Sequence, residues 1–76
     1  MTAVHLKHVG GTLHIVSVEP SEPHLPGSMG FGSYDRAVGG AVEMALQLGL
    51  PVDDETDRLT AYDFEQLKAA TAAERK

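Results

Sequence analysis

The chain has no cysteine, no long apolar run and no excess of positive charge. Each absence removes a class of function. Without cysteine there are no disulfides, no thiol catalysis and no thiolate metal sites, and nothing points to an oxidising compartment. The loss matters for stability, because a chain of 76 residues buries only about 60% of its unfolded surface. Self-association is the remaining expected aid. The longest apolar stretches fall far short of the roughly 20 residues that span a membrane. The opening "MTAVHLKHVGG" lacks a charged start followed by an apolar core, so no signal peptide is expected and the expected location is cytoplasmic.

Six Lys and Arg stand against eleven Asp and Glu, a formal charge of −5. The imbalance is local. Residues 53 to 65, "DDETDRLTAYDFE", hold six acids and one Arg. Nucleic acid selects a basic face, so direct binding to it is not expected. Asp53, Asp54, Glu55 and Asp57 crowd one segment after a helix stop. They read as a solvent-facing acidic loop, or as a surface for a basic partner.

Catalytic patterns are missing too. There is no Gly-x-Ser-x-Gly and no Ser/His/Asp arrangement, and "GSMGFG" is followed by no Lys, so it matches neither a dinucleotide loop nor a P-loop. The expectation is a protein that is not an enzyme and takes no cofactor. Four histidines raise the question of a metal. His5 and His14 are expected to share a strand face as diagonal neighbours. No carboxylate or cysteine is placed beside them by this reading, so no metal site is expected.

What is present is a small α+β pattern. In "AVHLKHVGGTLHIVSV" two β-rich runs flank Gly10-Gly11, which predicts a hairpin with a two-residue turn. Setting Val9 opposite Thr12 puts Lys7 opposite His14, Leu6 opposite Ile15 and Val4 opposite Ser17. Val4, Leu6, Leu13 and Ile15 then share the buried face. Pro20, Pro23 and Pro26 end the second strand near Val18 and keep the next segment extended. Met29 and Phe31 alternate within "SMGFG", which predicts a short third strand. Ser33 caps a first helix, Asp35 lies in its first turn, and Gly49 with Pro51 stops it. Gly39-Gly40 inside that helix costs roughly 2 kcal/mol against two alanines. The pair marks either close packing on the sheet or a flat face for a partner. Thr60 caps a second helix, with Leu59 and Phe64 at staple positions and Asp63 as the capping-box acid. Its alanine-rich end is expected to fray after Ala73. The expected core joins Leu6, Leu13 and Ile15 to Val38, Ala41 and Ala45. The whole of 1–76 reads as one domain: a small antiparallel sheet packed by one helix, then an acidic loop and a C-terminal helix over 51–76.

The stretch "PHLPGSMGFGSYDRAVGGAVEMAL" resembles the core of the HicB antitoxin family. Pro23, Leu25, Pro26, Gly27 and Gly32 fall on its corner and short strand. Ser33 falls on its polar cap, and Ala37-Val38 on the start of its buried helix stripe. The resemblance covers about residues 4 to 50. It implies a binding protein that occludes a HicA-type ribonuclease toxin and commonly forms a homodimer. The alternative is a phage-encoded anti-defence protein, such as an anti-CRISPR, whose acidic surface blocks a nucleic-acid-binding groove. The residues expected to touch a protein partner are Asp53, Asp54, Glu55 and Asp57 on the acidic segment, with Gly39 and Gly40 on the helix.

Overall fold

A computed structural model describes residues 2–75. The expected hairpin forms from β1 (Ala3–Gly10) and β2 (Leu13–Glu19), but its register differs by one residue. Leu6 lies opposite Val16 and Val4 opposite Val18. The cause is a bulge. Pairing shifts between His8 and Gly10, leaving Val9 as an extra residue, and the chain reverses at Gly11-Thr12 with Gly11 at φ 52°. Gly11 supplies the left-handed turn position that a side chain resists.

Strand side chains alternate, so a one-residue slip exchanges the two faces of β2. Val16 and Val18, at 0% and 3% exposure, enter the core. Leu13, at 45% exposure, and the half-buried Ile15 lie on the other face. The expected core is corrected there. Leu6, Ala41 and Ala45 are fully buried as expected, and Val38 packs at the core's margin.

β3 (Met29–Phe31) pairs antiparallel with β2 as the expected third strand. Leu25, in the proline-rich corner before it, is half-buried against the core. α1 (Tyr34–Leu48) begins at Ser33, whose side chain accepts the Arg36 N–H, and ends at Gly49 with φ 67°. Its buried stripe of Ala37, Ala41, Val42, Met44 and Ala45 lies on the sheet. The small residues let helix and sheet approach closely.

A fourth strand was not expected. β4 (Val52–Asp54) pairs parallel with β1, setting Val4 beside Val52, His5 beside Asp53 and Leu6 beside Asp54. Its ladder is extended by Val4 N–H to Pro51 carbonyl, 2.9 Å, and Glu55 N–H to Leu6 carbonyl, 2.9 Å. The sheet order is β3-β2-β1-β4.

α2 (Ala61–Glu74) starts at a complete capping box between Thr60 and Asp63. Phe64 drives it into the core at 0% exposure, and the Lys68 ammonium donates to the Leu50 carbonyl at 2.9 Å. The helix continues through Glu74, one residue beyond the expected fraying point. The protein is thus α+β, a four-stranded mixed sheet with both helices on one face. No helix is long and apolar enough to cross a membrane among the described residues.

Candidate functional site

Alternation along the strands decides what the second sheet face presents. His5, Lys7, Ile15, Ser17, Glu19 and Asp53 point away from the helices, and no other element covers them among the described residues. This face divides in two. Its apolar end is Leu13 and Ile15 beside Gly30, which β3 sets opposite Ile15. The Leu13 Cδ1 lies 3.7 Å from where a Gly30 Cβ would stand, so Leu13 lies across the neighbouring strand.

Its charged end is a band built by the β1–β4 pairing. His5 Nδ1 is 2.9 Å from Glu55 Oε2 and 3.4 Å from Asp53 Oδ2. The Lys7 ammonium pairs with Glu19, and Ser17 Oγ donates to the same Glu19 carboxylate at 3.0 Å. The bond to Glu19 holds the Lys7 ammonium above its usual range, against a smaller opposing effect of burial. The bond from Lys7, followed by that from Ser17, holds the Glu19 carboxyl below its usual range. Lys7 stands 4.0 Å from Glu55.

Two sequence expectations fail here for one reason. His5 and His14 do not share a face: the bulge turns His14 toward α1, where it is 5% exposed. Its Nδ1–H donates to the Thr12 carbonyl at 2.8 Å, and its ring meets the Tyr34 ring edge-on at 5.5 Å between centroids. Carboxylates do stand beside a histidine, because the unexpected β4 carries Asp53 and leads Glu55 up to His5.

The four acids of the segment do not act alike. Asp53, Glu55 and Asp57 are exposed, whereas Asp54 is 7% exposed and faces the core side. That corrects the expectation of a uniformly solvated acidic loop. Tyr34 Oη and Thr56 Oγ1 donate to the Asp54 carboxylate, as do the backbone N–H groups of Thr56 at 2.8 Å and Leu59 at 3.2 Å. Burial works against the ionised Asp54. The Thr56 and Tyr34 hydroxyls and the two N–H groups outweigh it, and the net pKa is lowered. Burial, then the Asp54 carboxylate, pushes the Tyr34 phenol up to about 12. Arg58 lies 4.6 Å above the Tyr34 ring centroid. Asp54 is therefore a structural anchor for the loop into α2.

The two helix glycines also separate. Gly40 faces the Phe31 ring of β3, and a Cβ there would overlap it. Gly39 faces open space. A cleft of about 540 Å³ opens beside the charged band at the free edge of β4, lined by Ala3, His5, Asp53, Asp57 and Thr60.

Sequence reasoning missed the grouping of His5, Asp53 and Glu55, and the partners of Asp54. The signal for the first is the alternation Val52, Asp53, Asp54, Glu55, in which one acid follows Val52 inward and the other two share the opposite face. The signal for the second is Asp54-x-Thr56, a side-chain-to-backbone turn pattern. No family model, no curated protein and no solved structure matches the chain.

Proposed function

We propose that the protein is a small non-enzymatic inhibitor that works by covering a partner protein. The observation that carries this reading is the uncovered sheet face, with half-exposed Leu13 and Ile15 at one end and the His5–Lys7–Glu19–Glu55 band at the other. An apolar patch rimmed by paired charges is the anatomy of a recognition surface. The partner suggested by the HicB resemblance is a HicA-type ribonuclease toxin. In support, the hairpin, the Leu25 corner, the short strand Met29–Phe31 and the capped helix α1 follow one another in the order that family is described by.

The test is RNA cleavage by a HicA-type toxin, with the protein added in equimolar amount. Suppression by the wild type, lost in Leu13→Arg and kept in Gly39→Ser, is the expected result. Cleavage that continues with the wild type present removes the toxin as partner.

One observation favours the alternative, an anti-defence protein. Asp53 and Asp57 are both exposed at the β4 edge, where they suit a basic groove. Under that reading the double change Asp53→Asn with Asp57→Asn slows association with the defence complex at low salt, and the difference closes as salt rises. An on-rate that does not change at low salt excludes it.

A further inference from the structure

We propose that His5, Asp53 and Glu55 form a three-ligand site for a first-row divalent transition ion, for which Zn²⁺ is the natural probe. The three side chains belong to three positions fixed by backbone pairing. His5 and Asp53 are cross-strand neighbours in the parallel β1–β4 ladder. Glu55 follows with its N–H bonded to the Leu6 carbonyl. Each offers one ligand atom, and the three atoms lie within 4.8 Å of one another.

The spacing is that of a coordination edge. Ligand atoms about 2.1 Å from an ion are separated by about 3.0 Å at right angles and about 3.4 Å at tetrahedral angles. His5 Nδ1 stands 2.9 Å from Glu55 Oε2 and 3.4 Å from Asp53 Oδ2. An ion placed among them thus needs little side-chain movement. Among the described residues, the neighbouring ammonium of Lys7 does not fill the place. Lys7 is drawn to Glu19, and its ammonium stays 4.0 Å from Glu55.

The donor set selects the ion. One imidazole with two carboxylates suits zinc and its first-row neighbours, whereas magnesium and calcium prefer oxygen alone. Three protein ligands leave a coordination position open. His5 and Asp53 also line the cleft at the β4 edge, which gives water or a donor group of a bound molecule access to the site.

The experiment is calorimetric titration of the full chain with ZnCl₂, and with MgCl₂ as the oxygen-preferring control. The wild type is expected to bind one equivalent of zinc and to bind magnesium far more weakly. Loss of even an outer-shell partner commonly costs a metal site about 10–100-fold, so His5→Ala, Asp53→Asn and Glu55→Gln should each weaken zinc by at least about tenfold. Asp57→Asn, which removes a nearby acid outside the set, should leave affinity within about twofold, the size of a surface-charge effect. Circular dichroism of each variant establishes that it is folded. The proposal is overturned if the wild type gives no saturable one-to-one binding, or if His5→Ala binds as the wild type does. It is equally overturned if only His5→Ala matters, since that outcome describes a lone histidine.

Discussion

Asp53 and Asp54 are neighbours in the chain and face opposite sides of the sheet. Substitution of the buried acid and of an exposed acid in this segment should separate accordingly. Asp54→Asn replaces an acceptor of four hydrogen bonds with a group that must turn an N–H₂ toward donors. The expected loss is about 1–3 kcal/mol in urea unfolding, against about 0.5 kcal/mol or less for Asp57→Asn. The pH dependence has a definite sign. The folded pKa of Asp54 is lowered, so its contribution is complete above the ordinary carboxylate range, about 3.9, and fades as pH falls through the lower folded value. The gap between wild type and Asp54→Asn should therefore narrow in unfolding curves taken below about pH 4. Tyr34 runs the other way: its pKa is raised to about 12. Its contribution is complete below about pH 10 and is lost as pH rises toward the folded value. Alkaline titration should destabilise the wild type more steeply than Tyr34→Phe. The glycines offer a second opposed pair. Gly39→Ala meets nothing and should stabilise α1 by up to about 1 kcal/mol. Gly40→Ala meets the Phe31 ring and should lower the melting temperature. Equal stabilisation by both would mean that Phe31 moves aside freely.

Two leucines of the hairpin test its register at the scale of the element. Leu6 is fully buried and Leu13 is 45% exposed. Leu6→Ala should cost about 2–5 kcal/mol through the cavity it leaves, and Leu13→Ala under about 1 kcal/mol, since little burial is lost. Equal costs in denaturant unfolding would restore the register that the Gly10-Gly11 pair suggests. The contrast also locates what could be read in advance. Both helix caps were legible, because Ser33, Gly49 and the Thr60–Asp63 box act within a few residues of themselves. Strand β3 was legible from its alternation. The bulge at Val9 was not, because "HVGGT" admits two turns that differ by one residue, and each buries two aliphatic residues of β2. Tertiary packing against α1 decides between them, through Val16, Val18 and the inward His14. β4 was illegible for a related reason. Three residues with two acids carry almost no strand propensity, and their pairing is supplied by β1 from the other half of the chain. The candidate site failed with it, since His5 meets its carboxylates only through that ladder.

Across the whole molecule, cover is one-sided. Both helices and the core lie on one face, and α2 is fastened through Phe64, Lys68 and an Arg75–Glu43 ion pair. Its alanine-rich later turns bury little. Native-state hydrogen exchange should find amides 69–75 exchanging well before those of β1 and β2, which carry the longest ladder. Exchange of α2 at the rate of the central strands would mean that helix and sheet open as one unit. The bare face is also where the proposed partner and the proposed ion would meet, and changes at Leu13 and at His5 probe the two separately.

The parallel pairing of β4 carries a consequence for synthesis. A ribosome releases the chain from its N-terminal end onward, so the β1–β2 hairpin emerges while Val52 to Asp54 are still unmade or held inside the ribosome. Hairpins close in about 1–10 µs, far faster than residues are added. The nascent protein therefore holds a finished ribbon with one β1 edge unpaired, an invitation to other strands. Lys7 sits on that ribbon, and a lysine on an exposed strand deters such pairing. The same lysine that pairs with Glu19 on the folded surface thus guards the unfinished one until β4 arrives.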